Sequence, residues 1–306
     1  MYIIMTDTSA NLEPADLKKW EIEDLPLTYM VDGKSPLDSG DAAFDGPAFY
    51  AAMRGGAKVV TSQVTPQTYI DAMTPFLKEG KDVLFIGMSS GISGSYNSAQ
   101  IAANQLREEF PACKIYTIDT LSASLGEGLL VVKAAENRRS GMSIEENAAE
   151  IDKLRHNMCQ VFTVDDLKYL RGTGRLSSIK AAVASVLNIK PILKGDTEGK
   201  IVCFEKTRGR NNAIKALAQQ YDEMVREPYN QCIGIFYQLR SEVSAGSINH
   251  AVGYFFDGFL NKRYLVVNND SHNAAVLFDD FPSCEDTTNP SKWLSNARKI
   301  IRLFPF

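Results

Sequence analysis

The sequence is poor in the residues that announce metal, disulfide or nucleic-acid chemistry. Its five cysteines, Cys113, Cys159, Cys203, Cys232 and Cys284, lie far apart and form no CxxC pair. That spacing supports neither a zinc knuckle nor a disulfide framework, and reduced, buried thiols are expected. The three histidines, His156, His250 and His272, make no HxxxH or HExxH, and there is no EF-hand loop. A metal centre therefore has no support. No lysine- or arginine-rich run is present and the net charge is -4. A nucleic-acid binder needs a basic face, so that class is set aside. No apolar run approaches the roughly 20 residues that span a membrane, and the apolar part of MYIIMTDTSA is too short for a signal peptide. The expectation is a soluble, cytoplasmic protein.

What is present is ordinary globular material, with 44% hydrophobic and 23% charged residues. A chain of 306 residues exceeds what one core usually supports, so two domains are expected. The first half alternates strand and helix signals. Tyr2–Met5 reads as a strand, PADLKKW as a helix and Leu25–Val31 as a second strand. Thr65-Pro66 opens a helix through Leu77, with Thr65 as N-cap. Val83–Met88 is a buried strand, Ser93–Glu109 a helix, Lys114–Ile118 a strand, and about Ala123–Arg138 a long helix. This rhythm predicts a mostly parallel sheet with helices on both faces. Ser143-Ile144-Glu145-Glu146 is a capping box starting a helix to about His156. The domain division is placed there, giving residues 1–156 and 157–306.

The second half is less regular. Cys159–Thr163 reads as a strand, two short helices flank RGTGRLSS, and GDTEG joins Ile189–Leu193 to Lys200–Glu205 as a hairpin. Asn212–Val225 carries an apolar helical stripe of Ala213, Ile214, Leu217, Ala218, Tyr221, Met224 and Val225. Strands at Cys232–Tyr237 and Tyr264–Val267 bracket another helix, and a final helix covers about Ser291–Leu303. The expectation is an α+β domain with a mixed sheet and a C-terminal helical extension.

Chemistry concentrates where strands end. In VLFIGMSSGISGSYNS, residues 83–98, a buried strand runs into a turn rich in serine and glycine. Amides at a helix start are unsatisfied and carry part of the helix dipole, so such a turn suits an anion. Ser89, Ser90, Ser93, Ser95 and Ser98 lie in or near it; the plainer reading is one helix cap and several small packing residues. A P-loop needs a lysine that does not follow Gly94, and the hydrolase motif GxSxG lacks its last glycine here. Thr61-Ser62-Gln63 is a second hydroxyl cluster, read as another strand-to-helix turn in the same domain. Asp7-Thr8-Ser9 and Asp119-Thr120 sit at further strand ends. Together these fit a parallel sheet that binds a ligand beyond its carboxyl edge. Lys206-Thr207-Arg208-Gly209-Arg210, and Arg171 and Arg175, offer guanidinium groups to an anion or a protein partner, or form solvated basic turns.

Seven motifs then carry a resemblance: TDTSANL at 6–12, TSQVTP at 61–66, SSGISGSYNSA at 89–99, IDTLSASLGEG at 118–128, DDLKYLRGTGRLSS at 165–178, LNIKPIL at 187–193 and EKTRGR at 205–210. In this order they resemble the DegV family of bacterial fatty-acid-binding proteins. The resemblance implies a two-domain α/β fold that buries an acyl chain in an apolar tunnel. It implies a binding role rather than an enzyme, with the fatty acid as ligand and no other cofactor. Members similar to fatty-acid kinase binding subunits present the acid to a separate ATP-binding kinase subunit, which makes the acyl phosphate. Thr61, Ser62 and Ser93 then match the carboxylate-binding positions, with Gly94 beside Ser93. Arg208 matches a kinase-facing arginine, and Arg210 is the nearby alternative. The family's glycine-rich segment with a histidine is here YLVVNNDSHNAAVLF. His272 is the candidate head-group histidine, although a gapless alignment puts Asp270 at that place. The alternative is a substrate-binding subunit of the dihydroxyacetone-kinase type, in which a histidine captures a small carbonyl compound.

Overall fold

The computed structural model describes residues 2–34, 37–39, 46–164, 174–175, 189–224, 234–238, 268–269 and 274–277. The flanks of RGTGRLSS, the strand expected at Tyr264–Val267, His272 and the final helix lie outside the described residues.

Four parallel strands form the first sheet. They are β1 (Ile3–Asp7), β2 (Ile22–Leu25), β6 (Val83–Gly87) and β7 (Ile115–Asp119), in the order β2-β1-β6-β7. All five residues of β6 are buried, as a central parallel strand requires. Side chains alternate between faces with period two, and the core divides accordingly. Ile4, Ile22, Leu84, Ile86 and Ile118 pack on one side with Leu130, Val131, Ala134 and Ala135 of α5 (Leu125–Arg139). Ile144, Ala148 and Ile151 of α6 (Ile144–Leu154) join that layer. Met5, Leu25, Val83, Phe85 and Ile115 face the other side. There they meet Tyr69, Met73 and Leu77 of α3 (Pro66–Lys78) and Ala99, Ala102, Ala103 and Leu106 of α4 (Ser95–Glu109). Helices therefore cover both faces, and α1 (Pro14–Trp20) connects β1 to β2.

Local signals act as the sequence predicts. Thr65 caps α3 by accepting from the Thr68 amide, and Ser143 and Glu146 form a reciprocal capping box. One element differs. Leu25–Val31 is not one strand, because Pro26 lacks an amide for the ladder. The chain leaves β2 there and starts β3 (Thr28–Val31) in another sheet. That sheet is antiparallel, with β3 between β4 (Leu37–Asp38) and β5 (Val59–Ser62). Helix α2 (Gly46–Arg54) packs on it through an edge-on contact of Phe49 with Tyr29, centroids 5.0 Å apart.

The second half holds an antiparallel sheet of β8 (Val161–Thr163), β9 (Ile189–Gly195) and β10 (Ile201–Arg208), in the order β10-β9-β8. The predicted hairpin is β9–β10, with a bulge between Cys203 and Glu205. Helix α7 (Arg210–Met224) buries Ala213, Ala216 and Leu217 on Ile192. A further sheet is mixed, β11 (Gly234–Gln238) pairing parallel with β12 (Asn268–Asn269) and antiparallel with β13 (Ala274–Leu277). The fold is α/β with two domains. The described thiols are free, but burial is not uniform: Cys159 is exposed, and Cys113 and Cys203 are half-buried. Among the described residues, no helix is long and apolar enough to cross a membrane.

Candidate functional site at the carboxyl ends of the central strands

From β1 the chain moves outward to β2, then returns to place β6 on the other side of β1. The carboxyl ends of β1 and β6 are therefore the point at which connections diverge, where an open parallel sheet leaves a crevice for ligand. The turn from Met88 to Gly94 starts at that point.

Each serine of this turn has a distinct local role. Ser89 is fully buried; its hydroxyl donates to the Gly199 carbonyl at 2.9 Å and accepts from the Gly91 amide at 3.1 Å. Ser90 donates its amide to Asp119 Oδ1 at 3.2 Å, and the same oxygen accepts from the Leu121 amide at 3.0 Å. Ser93 is half-buried; its Oγ lies 3.0 Å from Ser95 Oγ and accepts from the Ser95 amide at 3.2 Å. Ser95 accepts from the Val64 amide at 3.1 Å, and Ser98 accepts from Gln63 Nε2 at 3.2 Å. Gly94 is the N-cap of α4 and supplies no side-chain cap. A Cβ there would come within 1.9 Å of Gln63 Oε1, so the glycine gives the glutamine room to cross the turn.

Thr61 and Ser62 are the last residues of β5 and are exposed. They face Tyr29 and Thr28 across an antiparallel ladder, so this strand-to-helix turn rises from the antiparallel sheet and not from the parallel one. Its chain continuation is nevertheless tied to the serine turn through Val64–Ser95 and Gln63–Ser98. Gln63 is the bridging residue that pattern reading missed. A glutamine after two hydroxyl residues carries no special signal until its partner, Ser98, is known.

The second half reaches the same turn. A Cβ at Gly91 would lie 2.6 Å from the Glu198 carbonyl oxygen and 2.9 Å from the Lys200 nitrogen. Arg175 donates Nε to the Ile92 carbonyl at 3.3 Å. Arg208, exposed, ends β10, and Arg210 opens α7 beyond Gly209, whose φ is +82°. Arg208 lends its carbonyl to Asn212 Nδ2 at 2.9 Å. His272 lies outside the described residues. Among those described the histidine is His156, exposed on the short 3-10 turn Arg155–Asn157. Among the described residues, the side-chain hydroxyl neighbour of Ser93 is Ser95. Among the described residues, no cluster of three or more His, Cys, Asp or Glu could hold a metal ion.

A family model described as "Uncharacterised protein, DegV family" matches residues 1–254. The chain belongs to the DegV family. A DegV domain-containing protein of Clostridium perfringens is 36% identical over 234 residues, 76% of this chain and 80% of its own. Among solved structures, the fatty-acid-binding DegV-family protein of Streptococcus agalactiae is 28% identical, with a TM-score of 0.70 over 83% of this chain and 88% of that one. DegV of Bacillus subtilis, a fatty-acid-binding protein, is 27% identical with a TM-score of 0.68, covering 84% and 89%. The serine turn and the Thr61–Thr65 segment of this DegV-family chain both fall within the matched residues.

Proposed function

We propose that this chain binds a long-chain fatty acid, its carboxylate held by Ser93, Thr61 and Ser62 near Gly94 and the start of α4. The acyl chain is buried in an apolar tunnel, where each methylene removed from water contributes about 0.8 kcal/mol before ordering costs. The carboxylate cannot follow without donors and stops at hydroxyls and helix-start amides. The observation that carries this reading is the joining of two hydroxyl-bearing segments, by Ser95 to Val64 and Ser98 to Gln63, at the strand ends where an α/β sheet takes ligand. The fatty-acid-binding relatives from Streptococcus agalactiae and Bacillus subtilis support the same ligand class.

The test is mass measurement under native and denaturing conditions, followed by organic extraction and rebinding of added fatty acid. Release of a fatty acid on denaturation is the expected result; no extractable lipid together with no rebinding would overturn the reading. Ser93→Ala removes one hydrogen bond to a charged group, worth about 1.5 kcal/mol or more, so affinity should fall at least tenfold. Unchanged affinity would remove Ser93 from the head-group site.

The bound acid is presented to a separate ATP-dependent kinase, with Arg208 and Arg210 on the partner-facing side and no catalysis by this chain itself. Arg208 is exposed, as a docking residue must be. In Arg208→Ala, lipid content should stay at the parent level while kinase-dependent acyl-phosphate formation drops. Equal turnover by variant and parent would count against that surface.

A further inference from the structure

Two carboxyl groups are buried outside the proposed head-group contacts. Asp7 ends β1, Glu127 lies in the first turn of α5, and both are fully inaccessible. One hydroxyl stands between them. Ser9 Oγ lies 2.6 Å from Glu127 Oε2 and also makes a close hydrogen bond with Asp7 Oδ1. A serine hydroxyl carries a single hydrogen. It can donate to one carboxyl, so the other contact needs a hydrogen brought by the carboxyl itself.

The remaining partners decide which one. Asp7 Oδ1 already accepts from the Ser9 amide at 2.9 Å, which marks it as an acceptor. Glu127 Oε1 accepts from Thr6 Oγ1 at 3.1 Å, which leaves Oε2 to carry the hydrogen. We infer that Glu127 is held as the neutral acid, donating from Oε2 to Ser9 Oγ, which donates in turn to the Asp7 carboxylate.

The surroundings favour one charge over two. The charge of Asp24, from β2, acts on Asp7, that of Asp119, from β7, acts on Glu127, and the Tyr69 phenol, from α3, feels both Asp7 and Glu127. Among the described residues neither Asp7 nor Glu127 has an ion-pair partner. Asp7 Oδ2 and Tyr69 OH are buried with no hydrogen bond of ordinary geometry, although the Met88 amide lies beside Asp7 and Ser95 beside Tyr69. A second ionised carboxyl here would meet another anion in a buried site. Burial first, and then the Asp7 charge, push the Glu127 carboxyl well above the ordinary carboxylate range. Burial also raises Asp7, against the hydrogen bonds from Ser9.

Folding therefore takes up a proton on Glu127 at neutral pH. Its contribution is fully present below the ordinary glutamate pKa of about 4.3. Above that value the folding constant falls about tenfold per pH unit, until the raised folded-state pKa is passed. The inference does not depend on the ligand, and it is tested on the full chain. Infrared spectra at pH 7 should show the carbonyl stretch of a protonated carboxyl, lost in Glu127→Gln. Urea unfolding across pH should show a Glu127→Gln profile flatter than the parent by one proton, because the neutral amide can still donate to Ser9. Absence of the band in the parent would overturn the inference, as would its survival in Glu127→Gln or equal pH slopes. Should Glu127→Gln fail to fold, isotopic labelling of the parent's glutamate carboxyl carbons still decides: a band that shifts to lower frequency supports the assignment, and a band that stays in place refutes it.

Discussion

A Gly199→Ala variant is expected to lose about 3 kcal/mol or more of stability and to unseat the β9–β10 turn from the serine turn. Gly199 has a φ of +70°, a left-handed conformation that costs a residue with a Cβ about 1–2 kcal/mol. The added Cβ would also stand 2.0 Å from Ser89 Oγ and 2.9 Å from Leu121 Cα. Ser89 could turn away, but it would then lose its bond to the Gly199 carbonyl, worth about 1 kcal/mol. Leu121 Cα is backbone, and moving it adds overpacking of about 1–3 kcal/mol. Gly33→Ala is the control, since Gly33 has the same φ of +70° with nothing within 4 Å of its Cβ. It should show the conformational cost alone, about 1–2 kcal/mol. Urea midpoints for the two variants separate strain from collision. Equal losses would show that the hairpin yields freely and does not brace the serine turn.

Phe85→Ala should cost about 3–5 kcal/mol, a large share of the roughly 5–15 kcal/mol that holds a domain folded. Phe85 is wholly buried in β6 and meets Tyr69 edge-on, with centroids 5.0 Å apart and planes at 73°. Met5, Val64 and Met73 belong to the same cluster. The ring also lies against Gly87, where a Cβ would sit 2.5 Å from its Cζ, so the strand end is shaped around it. Truncation leaves a cavity beneath the start of the serine turn. Phe85→Leu, which keeps most of the volume, should lose much less. Denaturant unfolding monitored by circular dichroism measures both, and a loss below about 1.5 kcal/mol for the alanine variant would mean that the site collapses freely.

The sequence by itself determined what depends on near neighbours and on period. The unbroken apolar run VLFIG marked a buried strand, and the period of two then sends Val83 and Phe85 into one half of the core and Leu84 and Ile86 into the other. Thr65 and the Ser143–Glu146 pair marked helix starts because a cap and its amide are three residues apart. The family motifs, being local runs of sequence, likewise mark the family without reference to the fold. Tertiary structure decided which partner each polar group meets. Thr61 and Ser62 belong to an antiparallel strand, because Pro26 diverts the chain into a second sheet that pairs with β5. Ser95 serves Val64, 31 residues away, and Ser89 serves Gly199, 110 residues away. Glu127 reads as an ordinary acid of a helix's first turn until β1 brings Ser9 against it across 118 residues. A buried polar group must find a partner, but the chain between them carries no mark of which one. Backbone periodicity is written locally, whereas hydrogen-bond partners across the fold exist only once the strands have been ordered.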